Sequence, residues 1–78
     1  MKPLQRLSGR EVRRILERQG FACVRQKGSH MIMQRRRSES EGGGTITVPV
    51  PDHGDVRMGT LMSIIAQSRL ARGLFEVR

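Results

Sequence analysis

Phe21-Ala22-Cys23-Val24-Arg25-Gln26-Lys27-Gly28-Ser29-His30-Met31-Ile32-Met33-Gln34-Arg35 reads as two antiparallel β-strands and the turn that joins them. Residues 21–26 form the first strand and residues 30–35 the second, with Lys27, Gly28 and Ser29 as the tight connection. Side chains on a strand alternate between faces, so Met31 and Met33 share one face and His30, Ile32 and Gln34 the other. The two methionines are the expected core pair. His30 then opens the second strand on the uncovered face of the sheet.

Upstream of this hairpin, Ser8 and Glu11 have the spacing of a capping box, and Leu7 and Val12 that of a hydrophobic staple, so a helix starts at Ser8. Its expected inward stripe is Val12, Ile15, Leu16 and Gln19, with arginines and Glu17 over the rest of the surface, and Gly20 stops it. Downstream, residues 36–44 combine arginine, Ser-Glu-Ser-Glu and three glycines. Such a segment buries too little apolar surface to offset its ordering entropy, and a mobile hairpin loop is expected there. Residues 45–48 make a third strand with Ile46 and Val48 inward. Pro49 and Pro51 then remove two backbone donors, which places this strand at an edge and the second strand in the middle. After a polar turn over residues 52–55, Thr60 is the expected N-cap of a second helix that turns Leu61, Ile64 and Ile65 inward, and Leu70, Leu74 and Phe75 close over the core. The order α-β-β-β-α implies an α+β fold, with a three-stranded antiparallel sheet and both helices on one face.

Composition narrows the function. A chain of 78 residues is expected to be a single domain, residues 1–78, with a small core. Fifteen Lys and Arg against seven Asp and Glu leave a net charge of +8, which favours a polyanionic partner and predicts affinity that falls as salt rises. Nucleic acid fits best, although a basic surface can also serve solubility alone. The only aromatic residues are Phe21 and Phe75, too few for the stacking platforms of single-strand RNA readers. No apolar stretch approaches the roughly 18 residues of a membrane span, and no apolar leader follows the amino terminus, so a cytoplasmic protein without membrane attachment is expected. Cys23 stands alone between Ala22 and Val24, in the pattern of a buried, inert thiol. Neither a zinc pattern nor an acidic cluster is present, and no metal or other cofactor is expected.

The chemistry converges on Gly28-Ser29-His30. A histidine side chain ordinarily exchanges protons near neutral pH, glycine permits close backbone approach, and serine adds a hydroxyl and an amide. A surface or hydrogen-bonded structural histidine is the alternative reading of these residues. Around the tripeptide lie Leu7-Ser8-Gly9-Arg10-Glu11-Val12, Gln19-Gly20-Phe21, Arg25-Gln26-Lys27, Thr47-Val48-Pro49, His53 and Met58-Gly59-Thr60-Leu61. Together, from about Leu7 to Leu70, these blocks resemble the HicA toxin family, small ribosome-independent mRNA interferases. One departure stands at Met31, where many relatives carry a second histidine.

The resemblance implies a fold similar to the double-stranded-RNA-binding domain. It also implies an mRNA-cleaving toxin of a type II toxin–antitoxin system, a HicB-type antitoxin that covers the catalytic face in a neutralising hetero-oligomer, and His30 as the catalytic position. RNA can be cut without metal because its own 2′-hydroxyl attacks the adjacent phosphorus once a base takes its proton and an acid protonates the departing 5′-oxygen. His30 is the candidate proton-transfer group. Lys27 and Arg25 are candidates for stabilising charge, the amides of Gly28 and Ser29 for a small anion nest, and His53 for a second proton-transfer group or a substrate contact. The alternative function is a non-catalytic RNA-binding module using the same basic face.

Overall fold

Ser8 starts the first helix through both halves of the capping box. Its hydroxyl accepts from the Glu11 amide at 3.1 Å, and its own amide donates to the Glu11 carboxylate at 2.9 Å. The Ser8 amide first, then the Ser8 hydroxyl and nearby Arg14, hold the Glu11 carboxyl below its ordinary range. Helix α1 runs Gly9–Arg18, and Gly20, at φ +92°, carries the chain out of it in the left-handed conformation that glycine alone adopts cheaply. Val12 and Leu16 are fully buried and Ile15 packs partly against the core. Gln19 is exposed and caps the helix, so it is not part of the inward stripe: its position falls past the last buried turn.

The computed structural model describes residues 1–78 and has the order helix, three strands, helix. Strands β1 (Ala22–Lys27), β2 (His30–Arg36) and β3 (Thr45–Pro51) form one antiparallel sheet with β2 in the centre. The edge strand continues through both prolines instead of stopping at Val48. A proline fits a ladder only where its missing N–H faces away from the partner strand. Pro49 and Pro51 therefore leave the outer edge of β3 without donors at those positions, a block to further strand pairing.

Helix α2 spans Met58–Ser68, one turn earlier than expected, because Arg57 rather than Thr60 holds the N-cap position; Thr60 lies inside the first turn. Leu61 and Ile64 are buried and Ile65 packs partly against the core, whereas Met58 and Met62 are exposed. Val12 and Leu16 of α1, Leu61 and Ile64 of α2, and Met31, Met33, Ile46, Val48 and Val50 of the sheet share one cluster, so both helices cover the same sheet face. Phe75 is fully buried within a 3-10 turn (Arg72–Phe75), Leu70 is partly packed, and Leu74 remains exposed. The chain ends meet in a bridge between Leu4 and Glu76, where Gln5 donates to the Phe75 carbonyl at 2.8 Å and Val77 to that of Pro3 at 2.9 Å. Cys23 is half-buried, its thiol 3.4 Å from the Arg25 carbonyl.

Two features escape sequence periodicity. The register shifts between Cys23 and Arg25, a bulge that leaves Val24 outside the ladder and exposed. Cys23 faces the core opposite Met33, while Arg25 pairs with Ile32 and Lys27 with His30 on the other face. Unbroken alternation from Cys23 would have turned Arg25 and Lys27 inward; the bulge resets them to the face of His30. The second feature is Gly9. A Cβ there would collide with the Pro51 carbonyl oxygen and stand 3.2 Å from the Asp52 Cα, so α1 approaches the end of β3 at a distance only glycine allows.

The connection from β2 to β3 begins one residue later than expected, since Arg36 belongs to the strand, and it contains a 3-10 turn, Glu39–Glu41. The Glu41 carboxylate accepts from Arg35 at 3.1 and 3.4 Å and from the Ser38 amide at 3.1 Å, and Arg37 reaches the Glu41 carbonyl. The Arg35 guanidinium lies 5.9 Å from the centre of the Phe21 ring. The Arg35 hydrogen bond and then those of Ser38 pull the Glu41 carboxyl down from its ordinary 4.5 to about 2. A depressed carboxylate favours the folded turn above the ordinary pKa, and that support disappears as pH falls through the folded value. A carboxyl-carbon NMR titration is thus expected to place the Glu41 midpoint near 2, with amide protection over residues 37–44 declining as pH falls from 4.5 toward that value; a midpoint at 4.5 would remove the ion pair from solution.

Candidate active site

His30 is exposed at the first position of β2, beside the turn made by Gly28 and Ser29. Gly28 adopts φ +60°, which lets the hairpin close on two residues with Lys27 and His30 as its last pair. The amides of Gly28 and Ser29 donate to no group in the chain. The turn is anchored from beneath, for the Ser29 carbonyl accepts from the Asp52 amide at 2.7 Å. An anion beside His30 would thus meet two free amides and the ammonium group of the directly paired Lys27. Arg25 follows one pair further along the same face, flanking Ile32 together with Pro49, and Ile32 is buried although it lies away from the main core.

A cleft of about 400 Å³ opens next to His30, between β3 and α2. His53 and Arg57 from the intervening turn, Pro49 and Pro51 from β3, and Thr60, Ser63 and Gln67 from α2 line it. The structure therefore brings His30 and His53 to one cavity across more than twenty residues of chain. His53 is held by its backbone, whose carbonyl accepts from the Gly9 amide at 2.8 Å, and its side chain is exposed. Neither imidazole has a hydrogen-bond partner in the protein, so the ring nitrogens of both are open to a ligand.

Charge in this region is asymmetric. Asp52 pairs with Arg10 and Asp55 with Arg6, each at 3.4 Å, while Lys27, Arg25 and Arg57 have no acidic partner. The one carboxylate that lines the cleft, Asp55, is the partner of Arg6, so three unpaired cations beside two unpartnered imidazoles suit a phosphodiester. Met31 faces the opposite way: it is buried in the core, with its sulfur 3.8 Å from Arg13 Nη1. Adjacent strand positions point to opposite faces, so a side chain at position 31 cannot reach a substrate held by His30.

Every site residue expected from sequence lies at this end of the molecule. Gly28, Ser29, Lys27 and Arg25 flank His30 on the hairpin, and His53 lines the same cleft as His30. Arg57, Thr60, Ser63 and Gln67 were not anticipated, and only the polar i, i+3, i+7 stripe on α2 hinted at a shared surface. A larger groove, of about 780 Å³ between α1 and the chain ends, is lined by Arg14, Ile15, Arg18, Leu74 and Val77 and contains neither histidine.

A family model described as HicA toxin of bacterial toxin-antitoxin matches residues 9–70. No curated protein and no solved structure matches the chain.

Proposed function

Because the chain belongs to the HicA family of toxins from bacterial toxin–antitoxin systems, we propose that it is a metal-independent endoribonuclease that cuts mRNA with His30 as general acid or base. Family membership makes it a toxin of the nuclease class, with RNA as substrate and an antitoxin as partner. The observation that carries the finer reading is an exposed, unpartnered His30 at the mouth of a cleft shared with His53 and bordered by Lys27 and two free amides.

In this mechanism the substrate phosphate rests against the Gly28 and Ser29 amides and Lys27. One imidazole takes the proton of the 2′-hydroxyl as its oxygen bonds to phosphorus. The bond from phosphorus to the 5′-oxygen breaks, and that oxygen receives a proton from the second imidazole. His30 carries one of these transfers and His53, in the same cleft, the other. Lys27 and Arg25 offset the charge that gathers on the phosphoryl oxygens. The products are a 2′,3′-cyclic phosphate and a free 5′-hydroxyl. The antitoxin, of HicB type, neutralises the toxin by covering this face in a hetero-oligomer, and the pair acts in the cytoplasm. No helix is long and apolar enough to cross a membrane.

Incubation of the purified protein with a long unstructured mRNA in EDTA tests the proposal. Fragments ending in 2′,3′-cyclic phosphate are the expected result. Intact RNA together with a salt-dependent mobility shift would favour the non-catalytic binding module instead.

A further inference from the structure

We propose that the cleft between β3 and α2 is a base-recognition subsite, in which Gln67 and Ser63 read the edge of one unpaired nucleobase beside the phosphate cut at His30. This rests on the reading of His30 as the cleaving centre.

His30 pairs with Pro51 and Ile32 with Pro49, so the cavity extends from His30 along β3 as far as Pro49. Thr60, Ser63 and Gln67 of α2 line the same cavity, and at 1.5 Å per residue Thr60 and Gln67 stand about 10 Å apart along the helix. That length exceeds what one phosphate group fills and suits a nucleotide with its phosphate at His30 and Arg57 and its base against Ser63 and Gln67. The volume, about 400 Å³, lies within the range of small-molecule pockets.

The lining matches a base. Pro49 and Ile64 supply apolar walls. The Gln67 amide carries donors and an acceptor, the Ser63 hydroxyl is both, and neither side chain is engaged within the protein. Both phenylalanines are buried, so no aromatic platform is available and discrimination must come from such hydrogen-bonding groups. A base paired in a duplex cannot enter, which confines the substrate to single strands.

Short single-stranded oligoribonucleotides with one abasic nucleotide, placed at successive positions around a mapped cut, test this. With the wild-type protein, one position beside the cut is expected to lower the cleavage rate about 5- to 100-fold when abasic. Gln67→Leu, a change on an exposed helix face, is expected to show a similar loss on intact RNA and no further loss on the abasic RNA. Ser63→Ala gives a smaller loss at the same nucleotide. An abasic penalty that persists undiminished in both variants, or no responsive position near the cut, overturns the subsite while leaving cleavage at His30 in place. RNA left intact by the wild-type protein would instead remove the nuclease reading, and the subsite with it.

Discussion

His30→Ala is expected to lower RNA cleavage by about 10²- to 10⁴-fold, the usual contribution of a positioned proton-transfer group. The fold should survive the change. His30 is exposed and makes no side-chain hydrogen bond, and substitutions at such positions usually alter stability by no more than about 0.5 kcal/mol. Lys27→Ala separates charge from proton transfer. Removing one phosphate contact weakens RNA binding across sequences and reduces the slope of log affinity against log salt by about one, whereas His30→Ala acts chiefly on the rate at saturating RNA. Rates from both variants over a salt series, with melting curves as controls, make the comparison. A well-folded His30→Ala protein that cleaves at the wild-type rate would remove His30 from the mechanism, and Lys27 and the turn amides would then describe a binding surface.

Gly9→Ala is expected to destabilise the protein by about 2 kcal/mol, as overpacking against an immovable neighbour typically costs 1–3 kcal/mol. The obstacle is backbone: the new Cβ meets the Pro51 carbonyl, with the Asp52 Cα behind it. Helix propensity pulls the other way by at most about 1 kcal/mol in favour of alanine. Retreat of α1 would sacrifice the hydrogen bond from Gly9 to the His53 carbonyl, which contributes about another 1 kcal/mol. For a domain of this size the net loss corresponds to a melting temperature lower by about 10 °C. Gly59→Ala is the matched control. Gly59 lies in the first turn of α2 with nothing within 4 Å of the added carbon, so the same substitution there is expected to raise stability by about 0.4–1 kcal/mol. A Gly9→Ala protein that melts at or above the wild type would show that the helix and the edge strand stand further apart in solution. Gly9→Ala should also reduce cleavage in proportion to the fraction unfolded at the assay temperature.

The elements that were legible in the sequence depend on near neighbours. Ser8 and Glu11 cap a helix whatever surrounds it, Gly20 ends it, and the alternation of Met31 and Met33 with His30 fixes which side of β2 is wet. The prolines marked β3 as the edge for the same kind of reason, a missing N–H, although they did not end the strand. The N-cap of α2 was misplaced because Thr60 is a better cap by residue type than Arg57, and packing against β3 outweighed that preference.

Local pattern carried the α-β-β-β-α order, the basic character of the surface, the family, and His30 on an open strand face. Tertiary structure alone decided which groups His30 meets. A single bulged residue, Val24, turned Arg25 and Lys27 to its side, and a glycine-only contact between α1 and the end of β3 holds the His53 backbone where its side chain lines the same cleft. The stripe of Thr60, Ser63 and Gln67 became a wall of the cleft only when α2 settled against β3. Capping and alternation are settled within a turn or a strand pair, whereas convergence of distant side chains is set by the register and packing of whole elements, which no local pattern encodes.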